Sequence, residues 1–299
     1  MKTFLTMTKR NIKMFFKDKA MFFTSLITPI ILLVLYTTFL GKVYRNSFMS
    51  NMPEGFNIPE SIVNGTVSGQ LFSSLLAVSC VTVAFCANML MVTDKVTGAR
   101  KDFCITPVKR STLAMSYYVG TLITTLIVSI VGTIACFIYI AISGWYMSVA
   151  DVFLILLDII MLTIFGTALS SIINMFLSSQ GQISAVGTVV SSGYGFICGA
   201  YMPISQFGAV LQNILAFLPG TYGTSLLKNH ALRGVYREMS TQGFPPEVIE
   251  GIKDSIDCNI YFFNHKVGVG AMYGIMIGSI VLLLGVYVFI NYLRKERQY

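Results

Sequence analysis

Five long tracts without a charged residue constrain this chain more than any other feature of its sequence. They cover residues 20–41, 61–93, 111–150, 159–227 and 267–293. A bilayer core is about 30 Å thick, and a helix needs about 20 apolar residues to cross it. Every tract is long enough to cross, and only 11% of the residues are charged, against about a quarter in soluble domains. The sequence therefore predicts an integral membrane protein.

Polar breaks divide the third and fourth tracts into separate spans. The SGWY sequence at 143–146 separates a third span from a fourth, and SSQGQ at 178–182 separates the fourth from a fifth. Trp and Tyr are common where a helix leaves the bilayer. We predict an all-α fold with six transmembrane helices. The spans are 20–40, 69–93, 113–142, 151–177, 183–203 and 267–293.

Residues 204–266 separate the fifth and sixth predicted spans. The first part is uncharged, follows Pro203 and is interrupted by Pro219 and Gly220. It is either a seventh span or a re-entrant segment whose short pieces enter the membrane and return. With six spans and a cytoplasmic N-terminus, most of the 21 Lys and Arg residues are cytoplasmic. A seventh span would place the basic C-terminus outside, against the positive-inside rule. We therefore expect a re-entrant and outer segment, and cytoplasmic termini.

Residues 1–19 show a helical pattern ahead of the first span. At about 100° per residue, apolar side chains share one face and lysines lie on the next. The apolar face consists of Phe4, Leu5, Ile12, Phe15 and Phe16. A plain basic flank would explain the charge but not the aromatic face. We predict an amphipathic interfacial helix in contact with membrane lipid.

The predicted cytoplasmic loop 94–112 combines basic residues with an apolar patch. The patch contains Phe103, Ile105 and Val108. An exposed apolar patch indicates a covering surface. That surface is either a partner protein or the chain's own helices, and composition leaves the two readings equal.

The chain has few residues or motifs that could support catalysis. Its only Gly-Lys pair, Gly41 and Lys42, is followed by Val43, so no P-loop is present. Its two histidines, His230 and His265, are both predicted outside, and no cysteines have zinc-site spacing. We expect no enzyme activity, no bound metal or cofactor and no nucleic-acid partner. Any energy from ATP must come from another chain.

Asp158 is the one ionisable residue well inside a predicted span. An aspartate at a helix centre costs about 2.5–3.5 kcal/mol on insertion scales, and one near a helix end costs less. It is either a gate, substrate contact or proton site, or a hydrogen-bonded group that ties two helices together. The second interpretation is favoured, because such groups normally have a partner.

The fifth predicted span is rich in Gly and Ser around Tyr194 and Phe196. Small residues of this kind usually allow helices to pack closely. The other interpretation is a helix that lines a cavity and offers aromatic rings to amphiphilic ligands.

Several motifs appear in the order typical of one family. They are RNIK at 10–13, TPI at 28–30, DKVTG at 94–98, TPVKR at 106–110, GAYMPI at 199–204 and LPGTYG at 218–223. Together they make the whole chain resemble ABC-2 type permeases, the membrane subunits of bacterial ABC exporters of the multidrug or antibiotic type.

The resemblance implies a single membrane domain, residues 1–299, that pairs with a second permease copy as a homo- or heterodimer. Separate ABC ATPase subunits would hold ATP and Mg and dock on the loop 94–112. The docking residues would be Lys95, Gly98, Arg100, Phe103, Ile105 and Pro107. Spans two and five would line the translocation path, through Phe72, Phe85, Tyr194 and Phe196.

The implied function is ATP-driven export of an amphiphilic or hydrophobic compound, such as a drug, peptide or lipid-like molecule. The mechanism would be alternating access across a bacterial plasma membrane. Two positions depart from the family pattern: RKD at 100–102 replaces a usual Glu, and LPG at 218–220 replaces an Asn-Pro block. The alternatives are a passive channel or scaffold without an ATPase, and, ranked last, an intramembrane enzyme.

Overall fold

The computed structural model describes residues 2–50, 59–106 and 108–296. They form helices joined by short turns, with one two-stranded hairpin. In chain order the helices are α1 (Lys2–Lys17), α2 (Lys19–Leu35), α3 (Gly41–Ser50), α4 (Glu60–Val96), α5 (Ala99–Ile105), α6 (Arg110–Ser143), α7 (Val149–Phe176), α8 (Gln180–Ile197), α9 (Ala209–Leu215), α10 (Pro219–Thr241), α11 (Pro246–Ser255) and α12 (Val269–Glu296). A π-helical turn, Tyr36–Leu40, joins α2 to α3, and a 3-10 turn, Ile204–Gln206, precedes α9.

Five of the described helical stretches are long and apolar enough to cross a membrane. They are Lys19–Asn46, Glu60–Val96, Arg110–Ser143, Val149–Phe176 and Val269–Leu293. The prediction of an all-α membrane protein is confirmed. Helix α8 has 18 residues and is not among the five, because Gln, Ser and Gly make it more polar. The sixth span and the re-entrant segment therefore stay predictions.

The helix of the first predicted span does not end at Gly41, as the sequence suggested. It continues through the π-helical turn and α3 to Ser50. The π-helical turn absorbs an extra residue there, and the Thr38 hydroxyl donates to the Val34 carbonyl at 2.7 Å. Gly41 has ordinary right-handed helical angles. The helix therefore passes through a residue that would normally end it.

Helix α4 begins at Glu60, well before the predicted residue 69, and runs through the expected turn at Asn64 and Gly65. Glycine serves close packing there. A Cβ atom on Gly65 would lie 2.9 Å from the Tyr146 ring, and one on Gly69 would lie 2.6 Å from Leu232. α4 packs against α2, α6, α7, α8 and α10 and is the central helix of the fold.

Small and polar side chains hold α4 to α7. A Cβ atom on Gly166 would lie 3.0 Å from the backbone of Cys80 and Val81. The Asn88 amide donates to the hydroxyls of Ser170 and Ser171, at 3.2 and 2.8 Å. Close helix approach and interhelical hydrogen bonds are the usual means of association in membranes.

The end of α8 also differs from the predicted boundary at Pro203. α8 stops at Ile197, and Gly199 adopts a positive φ of 73°. The Ala200 amide then donates to the Gly195 carbonyl at 2.8 Å. Glycine favours this left-handed conformation, which turns the chain out of the helix.

The predicted outer loop from residue 228 is instead the second half of α10. Pro219 occupies the first turn of this helix, where its missing N–H costs nothing. α10 is largely buried against α4, α7 and α12. A compact unit, here named the cap, follows. It consists of α11 and an antiparallel hairpin of β1 (Ile260–Phe262) and β2 (His265–Val267), and it leads into α12.

Helix α1 packs against α6 and buries Thr8, Asn11 and Phe15. Leu5 and Phe16 remain exposed beside the lysines. Only part of the predicted apolar face is therefore covered by protein. The location of α1 in the membrane interface stays a prediction.

Candidate functional site

An apolar groove opens between α2–α3, α4, α8 and the cap. Its volume is about 920 Å³. Aromatic and aliphatic side chains dominate its lining, which includes Leu35, Phe39, Tyr44, Val67, Phe196 and Met202. Phe39 and Phe196 are 63% and 50% exposed. Ligand pockets of about 300–1,000 Å³ with such linings suit drug-sized apolar molecules.

Gln70 supplies a polar group on the α4 wall of the groove. The side chain is buried, and its amide nitrogen has no hydrogen-bond partner among the described residues. A buried donor without a partner costs about 1–3 kcal/mol. The nitrogen itself is covered by protein, so a ligand acceptor could bind it only after neighbouring side chains moved.

A buried ion pair fixes the rim of the groove. The Asp257 carboxylate accepts from the backbone amides of Ile204 and Ser205, at 2.5 and 3.0 Å. Its Oδ2 atom lies 3.6 Å from Lys228 Nζ, which donates to the Gly199 carbonyl at 2.8 Å. These contacts join the cap, α10 and the segment after α8.

A second polar cluster joins three helices. Asp158 on α7 lies with Oδ2 2.5 Å from His230 Nδ1 on α10, and its Oδ1 accepts from the Tyr273 hydroxyl on α12 at 2.6 Å. Asp158 and His230 are buried. Both carboxylate oxygens have partners, so the geometry favours the interpretation of Asp158 as a group that ties helices together.

The Asp151 carboxylate, in the first turn of α7, forms another link to α10. It binds the Arg237 guanidinium, and Arg233 lies 3.6 Å away. Asp151 also accepts from the Ser148 amide at 2.9 Å, within a capping box. The two aspartates of α7 therefore each bind a nitrogen-bearing side chain of α10, His230 for Asp158 and Arg237 for Asp151.

A short charged segment, α5, lies at the opposite end of α4. Gly98 has a φ of 86° and turns the chain sharply into α5. Ile105, at the end of α5, is 84% exposed. Phe103 is half-buried, because the Arg10 guanidinium lies 5.2 Å from its ring centroid. α5 is therefore a positioned helix with one apolar side chain directed outward.

Arg10 anchors this segment to two other helices. Its guanidinium forms a two-point ion pair with Asp94 at the end of α4, with Nη2 to Oδ1 at 2.9 Å. The Tyr117 hydroxyl on α6 also donates to Asp94, at 2.5 Å. The hydrogen bond to Asp94 raises the pKa of Arg10 above its usual value. Arg10 thus stays charged and links α1, α4 and α5.

The model of the ABC-2 type transporter family matches residues 2–229. This match covers most of the chain. The chain belongs to the ABC-2 type transporter family. No curated protein and no solved structure matches it. The match ends within α10, so the cap and α12 of this ABC-2 subunit lie beyond it.

The predicted docking residues of the ABC-2 subunit have different surroundings. Lys95 donates to the carbonyls of Asn174, Met175 and Leu177, at 3.3, 2.8 and 3.1 Å, and so stabilises the end of α7. Arg100 is half-buried in the first turn of α5. Pro107 lies outside the described residues. Ile105 is the predicted docking residue that points freely outward.

Of the four predicted path residues, Phe196 alone lies on the groove. Phe72 is buried and stacks on Phe137 at 5.4 Å, and Phe85 is buried in the same core cluster. Tyr194 is also buried there, facing Gly220. The sequence could not show which rings on α4 reach the groove, because both faces of α4 are covered by protein.

The predicted re-entrant residues are distributed along the segment that borders the groove. Pro203 lines the groove itself. Pro219 begins α10, and a Cβ atom on Gly220 would lie 2.7 Å from the Tyr194 hydroxyl. Gly220 therefore allows α10 to begin against α8.

Sequence reasoning missed the partners of the buried aspartates: His230, Tyr273 and Lys228. One signal was available, because Asp151 and Asp158 are separated by about two helical turns, as are His230 and Arg237. Two antiparallel helices with that spacing bring the groups together. Within the described part of the chain, no three His, Cys, Asp or Glu residues are grouped so that they could hold a metal ion.

Proposed function

We propose that this chain is the permease subunit of an ATP-driven exporter of amphiphilic or hydrophobic compounds. The groove is the observation that carries the proposal. Its apolar lining suits a molecule with a large apolar body. Drugs, apolar peptides and lipid-like molecules have this character.

A separate ATPase subunit would supply the energy, holding ATP and Mg. Its docking surface on this chain would be α5, where Ile105 is exposed beside the charged side chains of Lys101 and Asp102. An exposed apolar anchor within a polar rim is typical of a protein interface. The Arg10 links would transmit movement of α5 to α1 and α4.

A second permease copy would complete the path. The π-helical turn after α2 leaves Phe39 exposed, and α8 leaves Val189 and Phe196 exposed, at or near the groove. A partner's helices would cover these apolar side chains. Alternating access would then open the groove to one side of the membrane at a time. The excess of basic residues on the α5 side supports a cytoplasmic location for both termini, in a plasma membrane of the bacterial type.

The docking proposal is tested by purifying the tagged chain from detergent-solubilised native membranes and identifying any co-purifying P-loop ATPase by mass spectrometry. We expect the wild-type chain to bring down such an ATPase and Ile105→Asp to lose it, because a charge replaces the apolar anchor. Ile142→Asp is the matched control, since Ile142 is 83% exposed at the far end of α6.

Loss of the ATPase from Ile105→Asp alone supports the docking role. Equal binding by both variants would contradict it. Absence of any ATPase from a folded wild-type preparation would overturn the exporter proposal and favour a passive channel or scaffold.

A further inference from the structure

Three phenylalanine rings form an exposed cluster beside the cap. Phe217 precedes α10, whereas Phe262 and Phe263 belong to the hairpin and its turn. The ring centroids of Phe217 and Phe262 are 5.0 Å apart, and those of Phe262 and Phe263 are 4.9 Å apart. Phe217 is 62% exposed and Phe263 is 55% exposed. Exposed apolar side chains of α9, Val210 and Ile214, enlarge the apolar surface.

The backbone of the hairpin turn is strained where it carries one of these rings. Phe263 has a φ of 45°, followed by Asn264 at 66°. A bulky side chain in the left-handed region is uncommon and costs about 1–3 kcal/mol. The turn keeps Phe263 in this conformation, although Asn or Gly would adopt it with less strain.

The cluster lies close to the start of α12 and to the end of α8. Gly268 alone separates β2 from the first residue of α12, so the hairpin base is within about 7 Å of that helix. Phe217 is held near the end of α8, because the Thr221 hydroxyl donates to the Ile197 carbonyl at 3.4 Å. The rings are therefore near the bilayer surface on the cap side.

The opposite side of the hairpin is polar and bound to α11. Tyr261 donates to Asp254 at 3.0 Å, and Lys266 donates to Glu250 at 2.7 Å. Hydrogen bonds from Lys253 and Lys266 hold the pKa of Glu250 at about 2, so the carboxylate stays charged. The hairpin is two-sided: Tyr261 and Lys266 are directed to α11, whereas Phe262 is on the other side, opposite His265 of the neighbouring strand.

We infer that Phe217, Phe262 and Phe263 insert into the interfacial region of the cap-side leaflet and anchor the cap to lipid. The occupant is the boundary between headgroups and acyl chains, where an aromatic surface without charge is favourable. This anchor would hold the groove rim in place through Asp257. It is independent of whether the chain transports anything.

Depth-dependent fluorescence quenching tests the anchor. The chain has one tryptophan, Trp145, so Phe263→Trp is placed in a Trp145→Phe background and reconstituted in phosphatidylcholine vesicles. Gln242→Trp, at an exposed position near the end of α10, is the matched control. If Trp145→Phe does not fold, Trp145 is retained and its signal, measured in the parent chain, is subtracted.

We expect the emission of Phe263→Trp to shift to shorter wavelength and to be lost when the lipids are brominated near the headgroup end of the acyl chains. Bromines near the acyl chain ends should quench it less, and Gln242→Trp should not respond. Emission at the wavelength typical of water, without quenching, would overturn the inference. A blue shift without quenching would indicate burial by a second copy and would equally contradict the lipid anchor.

Discussion

Both carboxylate oxygens of Asp158 are occupied by donors from other helices. His230 comes from α10 and Tyr273 from α12, so one side chain on α7 holds three helices together. Away from water, a hydrogen-bonded carboxylate is far cheaper than one without partners. The group therefore contributes to the packing of the helices more directly than to binding a ligand.

Replacing this carboxylate should destabilise the subunit more than removing either hydrogen bond. We expect Asp158→Ala to lower the free energy of unfolding by about 2–6 kcal/mol, because it leaves both the His230 ring nitrogen and the Tyr273 hydroxyl without their partner, at about 1–3 kcal/mol each. Tyr273→Phe should cost only about 1–3 kcal/mol. Thermal unfolding in detergent measures both, and equal effects would contradict a central role for Asp158.

At the residue level the sequence could predict that Asp158 needs a partner, but not which one. His230 is 72 positions away in the chain, and its place was assigned to an outer loop. Phe72 and Phe85 lie in the core rather than on the groove for a related reason. Aromatic residues in a span look alike in sequence, whereas the covering helices decide which of them reach the groove.

Among the elements, α10 depends most on close backbone approach. A Cβ atom on Gly234 would lie 2.0 Å from the Tyr146 carbonyl oxygen and 2.5 Å from its carbon. These are backbone atoms of the turn between α6 and α7, so they cannot move aside as a flexible side chain would. Only glycine fits where α10 crosses this turn.

We expect Gly234→Ala to separate α10 from that turn and to lower the melting temperature or prevent folding. Gly274→Ala is the control, because nothing lies within 4 Å of a Cβ atom at that position of α12. Alanine there should be neutral or stabilise the helix by about 0.5–1 kcal/mol. Size-exclusion chromatography and thermal unfolding distinguish the two, and similar melting temperatures would refute the steric argument.

The elements themselves follow largely from hydropathy, since the long apolar tracts became long helices. Their ends were less predictable. Gly41 and Gly65 are turn signals in sequence, yet both lie inside helices, because glycine in a membrane protein also allows close packing. The length of α10 was missed because its charges, Lys228 among them, are neutralised by partners from distant parts of the chain.

Over the whole molecule, Arg10 is the link between α5 and the helix bundle. It contacts the Asp94 carboxylate, which also accepts from Tyr117, on one side and the Phe103 ring on the other. A partner that moved α5 would therefore move α1 and the end of α4 with it.

Arg10→Ala should weaken ATPase binding without unfolding the chain. The lost ring contact is worth about 1–2 kcal/mol, which corresponds to roughly a tenfold weaker affinity if it positions α5. Lys9→Ala, at an exposed neighbouring position, should leave binding unchanged. Titration of the purified ATPase onto each variant measures the affinity, and equal affinities would show that α5 is held without Arg10.

The π-helical turn at Tyr36–Leu40 has a geometric consequence for the groove. One extra residue in a helix rotates everything that follows by about 100° about the axis. Ile31 and Leu35 before the turn, Phe39 within it and Tyr44 after it line the same groove, and the offset changes the direction in which Tyr44 points. If the extra residue of the turn were lost, the side chains after the turn would rotate away from the groove. Those before the turn would stay in place.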